Sequence, residues 1–205
     1  MVNIFKTLKR EGLLYCLAYI RNYIHDEYLK AFIPDLIRYE RKVELPFFSG
    51  IKHNGRTLQV GNVLKDPSFV TVDKYEKSPG VINQDILDFT TKQKFPIIIS
   101  ISTLEHIGLN ENPKDPEKIL KVIKHIKKNL LQKGGLFFFS VPIGYNKNLD
   151  KFIAEDKLDL FTSSFLERIT LSNEWKKATK EKTLTKRYNY PYICANGLMI
   201  GVIKK

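Results

Sequence analysis

Cysteine is nearly absent from this chain: Cys16 and Cys194 are the only two in 205 residues, far apart and outside any CxxC pair. A disulfide framework is thereby excluded, and a reducing, cytoplasmic compartment is expected. No His/Cys cluster has metal-ligand spacing, so no metal site is expected either. Low-complexity tracts and internal repeats are missing. Long apolar runs are missing too. The run Gly12-Leu-Leu-Tyr-Cys-Leu-Ala-Tyr-Ile20 falls far below the ~20 residues that span a bilayer, and Arg21, His25, Asp26 and Glu27 follow at once. Lys6, Lys9 and Arg10 ahead of it imitate a signal peptide, but no small-residue cleavage site comes after.

Acidic residues are the scarcer charge, 22 against 34 Lys and Arg, for a formal net charge of +12. Such a balance suits a nucleic-acid or anionic membrane partner when the cations cluster. Here they are spread along the chain without a helix-turn-helix, zinc-finger or RNP-type signature, which favours a solvated lysine-rich surface over nucleic-acid binding.

What is present is an ordinary globular composition, 43% apolar and 12% aromatic, in a length that suits one domain with an extension. Residues 1–50 read as a helical N-terminal extension. Ile4, Leu8, Leu14, Leu17, Tyr23, Ile24, Tyr28, Phe32 and Leu36 recur near helical spacing, with Pro34 as a break. That stripe either packs on the main domain or, flanked by basic residues, makes peripheral contact with a membrane. Oligomeric state is not legible.

Residues 51–205 change to short strands, expected near 56–61, 69–73, 80–83, 96–102, 135–141, 165–171 and 193–203. One helix between the fourth and fifth is clear. Pro116 suits a first turn, Ile119, Ile123, Ile126 and Leu130 form its apolar stripe, and Lys121, Lys124 and Lys128 face out. Gly134-Gly135 is expected to end it, and Gly197 and Gly201 to mark bulges in the last strand. The first two connections, residues 62–68 and 74–79, are too short for a full crossover helix.

Four of these runs stop at small or acidic residues: Thr57-Leu-Gln-Val-Gly-Asn62, Phe69-Val-Thr-Val-Asp73, Val81-Ile-Asn-Gln-Asp85 and Ile97-Ile-Ile-Ser-Ile-Ser-Thr-Leu-Glu-His106. A buried parallel strand delivers polar groups to its carboxyl end in this way, and ligands of open α/β sheets bind there. The order glycine, acid, acid, polar cluster resembles the class I S-adenosylmethionine-dependent methyltransferases. The overall look is similar to small methyltransferases of surface-polysaccharide synthesis. The resemblance implies an α/β, Rossmann-like, mostly parallel seven-stranded sheet with an antiparallel last strand lying between the fifth and sixth, and truncated early crossover helices.

It also implies S-adenosyl-L-methionine as cofactor, held by Gly61, Asn62, Asp73 at the ribose diol, Asp85 and Ile86 at the adenine, and Ser102 at the methionine part. Glu105 and His106 would orient or deprotonate an acceptor hydroxyl, a task that suits the near-neutral pKa of histidine. Tyr145 and Asn146 in Val141-Pro-Ile-Gly-Tyr-Asn146 would line the acceptor, with Tyr188-Asn-Tyr-Pro-Tyr192 and Ala195-Asn-Gly197 beside them. Each has a plainer reading. Asp73 and Asp85 would cap turns, Thr103-Leu-Glu-His106 would start a helix, and Pro142 with Gly144 would only turn the chain.

Gly61 is the sole glycine of the expected Gly-x-Gly-x-Gly turn, and Gln59 stands where an acid belongs. Two functions follow: O-methylation of a small polar or carbohydrate acceptor, or a catalytically inactive relative acting as a binding or scaffold protein. A nicotinamide-dependent oxidoreductase is a third reading, since Asp73 would suit its ribose, although Gly-x-Gly-x-x-Gly is absent.

Overall fold

The computed structural model describes residues 39–52 and 56–205, so the helices expected over residues 4–36 lie outside the described residues. Helix α1 (Arg41–Ser49) precedes strands β1 (Thr57–Val60), β2 (Val70–Asp73), β3 (Val81–Asn83) and β4 (Phe95–Ile101). Helix α2 (Lys118–His125), β5 (Leu131–Pro142), α3 (Lys147–Ala154), β6 (Thr162–Arg168), β7 (Trp175–Ala178), α4 (Lys180–Leu184) and β8 (Gly197–Lys204) complete the described order. The strands form one sheet in the order β3-β2-β1-β4-β5-β8-β6-β7. Pairings from β3 through β5 are parallel, and β8 runs antiparallel between β5 and β6. This is the expected Rossmann-like architecture with the last strand inserted where anticipated.

Eight strands replace the seven expected. The polar stretch after β6 holds the extra one, β7, paired antiparallel to β6 at the sheet edge. Its four residues include Lys176 and Lys177, both exposed, so no apolar alternation announced it. Lysine on an edge strand also discourages pairing with another chain. Helix α4 follows, its first turn capped by Thr179 accepting from the Lys182 amide at 3.2 Å.

The sheet is covered unequally. On one face Leu58, Val60, Ile98, Phe137 and Phe139 pack with Ile119, Val122, Ile123 and Ile126 of α2 and its continuation, while Lys121, Lys124 and Lys128 face water. On the other, no helix fits between β1 and β2. Val63, Leu64 and Phe69 of the connection pack directly against Ile99, Ile101 and the α1 residue Phe48. Burying one such phenylalanine contributes roughly 1.5–3 kcal/mol, which anchors a helix too short to persist alone.

Two glycine expectations are corrected. Gly134 and Gly135 do not end α2; Leu130 closes a π-type turn and β5 begins at Leu131. The pair forms a bulge inside β5, where pairing steps from Phe95 opposite Leu131 to Ile97 opposite Leu136. Gly134 adopts φ +77° there, a conformation costly for other residues, and donates to the Lys205 carbonyl at 2.8 Å. Gly197 and Gly201 form no bulges. Register with β5 is unbroken from Leu198 to Lys204, and Gly201 is small because a Cβ there would lie 2.5 Å from the Phe139 ring.

Candidate functional site

After β1 the chain turns towards β2, and after β4 towards β5, although β1 and β4 are neighbours in the sheet. Such a reversal opens a crevice beyond the carboxyl ends of the strands. A cavity of about 300 Å³ occupies it, lined by Gly61, Asp73, Asp85, Ile86 and His106 among the residues singled out in the sequence. Val60, Val72 and Ile107 supply its apolar walls.

Gly61 adopts φ +83°, and a Cβ there would collide with Thr103 Oγ1. Thr103 occupies the room that the glycine leaves, held by its own hydroxyl donating to the Ile101 carbonyl at 2.9 Å. Asp73 divides its two oxygens. Its Oδ1 caps the following turn, accepting from the amides of Tyr75 at 2.8 Å and Glu76 at 2.9 Å, while Oδ2 receives only a long 3.4 Å contact from the Asn62 amide. Oδ2 therefore retains acceptor capacity towards the cavity. The Asn62 side chain turns instead to Glu76, donating at 2.8 Å.

Asp85 sits in an ion cluster invisible in the sequence. Lys74 and Lys118 reach its Oδ2 at 2.9 and 2.5 Å and the Glu111 carboxylate at 2.7 and 2.5 Å. Burial pushes the Asp85 pKa up, but hydrogen bonds from Lys118 and Lys74 outweigh it and bring it to about 2. Lys74 is held charged chiefly by its bond to Glu111. The separations 85 to 111 and 85 to 118 leave no local signal, because the β4 strand and its following loop intervene.

At the other end of the cavity His106, Asn110 and Tyr145 form a triangle. Asn110 Nδ2 lies 2.8 Å from His106 Nδ1 and donates to the Tyr145 hydroxyl at 3.1 Å; that hydroxyl lies 3.0 Å from the same imidazole nitrogen. An amide nitrogen only donates, so Nδ1 accepts and the imidazole proton sits on Nε2. Burial, then repulsion from Arg41, lowers the His106 pKa, which favours the neutral ring. Tyr145 also meets the Tyr188 ring edge-on at 5.0 Å. Both tyrosines line a second, open groove of about 880 Å³ with Asp150, Lys147 and Lys186. Burial raises Asp150 to about 6.

Three expected site residues stand elsewhere. Ser102 lies beneath α1 and donates to Glu44 Oε1 at 2.5 Å, as does Ser140 at 2.6 Å. Asn146 caps α3, accepting from the amides of Asn148 and Leu149, and donates to the Glu105 carbonyl at 2.9 Å. Glu105 is buried, with Oε1 3.7 Å from His106 Nε2 and Oε2 without a hydrogen-bond partner. Burial raises its pKa well above the usual carboxylate range, and the nearby carboxylates of Glu44 and Glu40 add to the effect. That shift favours the protonated form. Of the later motifs, Tyr188 reaches the groove, whereas Asn196 staples its own loop through the carbonyls of Arg187, Tyr192 and Cys194.

No family model and no curated protein matches the chain. Among solved structures, the N-methyltransferase NodS from Bradyrhizobium japonicum WM9, bound to S-adenosyl-l-homocysteine, aligns over 92% of this chain and 96% of its own with 14% identity and a TM-score of 0.49. A SAM-dependent methyltransferase from Archaeoglobus fulgidus aligns over 100% of both chains at 14% identity and TM-score 0.45. The StiE O-MT segment, residues 961–1257, aligns over 89% and 82% at 11% identity and TM-score 0.46. Identities this low concern the fold alone.

Proposed function

We propose that the chain is an S-adenosyl-L-methionine-dependent methyltransferase acting on a hydroxyl of a small polar or carbohydrate acceptor. The observation that carries this reading is the placement of His106 and Tyr145. His106 lines the cavity at the sheet switch point, Tyr145 lines the open groove, and the two meet at 3.0 Å on the wall between them.

The residues around the cavity fit an adenosyl group in part. Asp73 Oδ2 has acceptor capacity for a ribose hydroxyl, and Ile86, Val72 and Ile107 offer apolar surface to a flat ring. Asp85, taken up by two lysines, supports an adenine amino group less well than the sequence suggested. The cofactor supplies a methyl group on a sulfonium, which an oxygen nucleophile attacks without metal or covalent help. This chain's part is to align the acceptor and take its proton. A proton leaving the acceptor hydroxyl passes to Tyr145 as that residue gives its own to neutral His106 Nδ1, whose lone pair the Asn110 amide releases as the proton arrives.

Thr103 over Gly61 and the lysines on Asp85 favour the second reading, an inactive binding or scaffold protein. Calorimetric titration with S-adenosylhomocysteine separates the two. Micromolar binding that weakens about tenfold or more in Asp73→Ala, the loss of one charge-assisted hydrogen bond, supports the enzyme. Absence of binding by the folded wild-type protein overturns it.

A further inference from the structure

The end of the sheet opposite the cavity carries a groove of about 660 Å³ between α2 and the segment after α3. Its rim holds five lysines, Lys124, Lys127, Lys128, Lys157 and Lys205, against one acid, Asp159. Asp159 pairs with Lys127 at 2.5 Å and Glu155, beside the rim, with Lys157 at 2.7 Å, leaving Lys124, Lys128 and Lys205 without an acidic side-chain partner among the described residues. The floor is apolar, built from Leu120, Ile123 and Leu158. Lys94 joins the rim from the side, and the crowding is visible in its contacts. Lys94 Nζ and Lys205 Nζ both converge on the Lys128 carbonyl, at 3.3 and 2.5 Å. Burial and the neighbouring Lys94 lower the Lys205 pKa. At the same end Phe161 is 62% exposed, with Lys204 Nζ 5.2 Å from its ring centre.

We infer that this lysine-rimmed groove, together with Phe161, docks the protein on an anionic phospholipid membrane. Ammonium groups on aliphatic stems around an apolar floor match the layering of an interface, with phosphates outermost and glycerol and acyl carbons beneath. An exposed aromatic ring beside the lysines suits the same depth. The rim contains lysine and no arginine, so it offers point charges to a diffuse anionic surface instead of the planar forks that read phosphates individually. A nucleic acid would be served by the charge but has no use for the apolar floor. The cavity lies at the other end of the strands, so docking here leaves the site of the proposed chemistry facing away from the bilayer. The inference does not depend on that chemistry.

The test is co-sedimentation of the full chain with vesicles of phosphatidylcholine alone or mixed with phosphatidylglycerol. Binding to the anionic vesicles only is expected. Lys124→Glu/Lys128→Glu should weaken it by about twentyfold or more, taking about fivefold per lysine, and Lys124→Gln/Lys128→Gln should weaken it less. Lys77→Glu/Lys114→Glu, exposed lysines away from the groove, changes the net charge equally and should bind almost as wild type. Circular dichroism establishes that each variant is folded. Equal loss in the control pair, survival of binding in both groove variants, equal binding to neutral vesicles, or tighter binding to duplex DNA would each overturn the proposal.

Discussion

Glu105 shows how a single residue type can suggest one role and its surroundings impose another. In the sequence it stands beside His106 and invites a catalytic reading. In the fold its carboxyl is buried, with one oxygen lacking a partner and Glu44 and Glu40 nearby. A raised folded-state pKa contributes stability that is fully present below the unfolded value, near 4.5, and is lost as pH rises towards the folded value. Glu105→Gln, which mimics the protonated form, should therefore be more stable than wild type at neutral pH. Its melting temperature should also fall less between about pH 5 and pH 8. Melting curves across that range check this, and parallel curves would place the proton elsewhere. Asp73, by contrast, was legible in its plainer reading: it caps the turn after its strand, and it lines the cavity as well.

Helix α1 carries the element-scale lesson. Its one buried acid, Glu44, binds the hydroxyls of Ser102 on the loop after β4 and Ser140 on β5, and Arg41 reaches its other oxygen at 2.5 Å. That joint fixes the chain just before the His106 turn. Glu44→Ala should cost roughly 3 kcal/mol in urea unfolding, because one buried hydroxyl, one half-buried hydroxyl and a guanidinium lose their acceptor. Adding Ser102→Ala and Ser140→Ala should recover part of the loss, since removing both sides of a hydrogen bond leaves less unsatisfied. No recovery would mean that α1 is held by Phe48 alone. The sequence offered no sign of this joint, whose partners are 58 and 96 residues apart. The strands were legible for the opposite reason: a buried parallel strand must be a short apolar run whatever its neighbours. Strand β7 and the β5 bulge were not, because edge pairing and register are properties of two strands together.

At the scale of the whole molecule the dominant fact is a net charge of +12. Self-repulsion of that size is screened as salt shortens the Debye length from about 30 Å at 0.01 M to about 8 Å at 0.15 M. The melting temperature should rise over that interval, as differential scanning calorimetry would show. A fall would mean that the ion cluster of Lys74, Asp85, Lys118 and Glu111 outweighs the bulk charge. Charge total and the short apolar runs of the buried strands come from composition and local pattern, which every residue carries with it wherever it folds. For that reason the sequence alone determined the α/β class, the missing early helices and the acidic strand ends, while the insertion of the last strand was implied by the resemblance those strand ends carry. Tertiary structure alone decided that Thr103 fills the space over Gly61, that two lysines engage Asp85, that His106 meets Tyr145, and that scattered lysines gather around one groove. Each of these is a meeting of residues distant in the chain, and distance in sequence places no bound on distance in space once the sheet has formed.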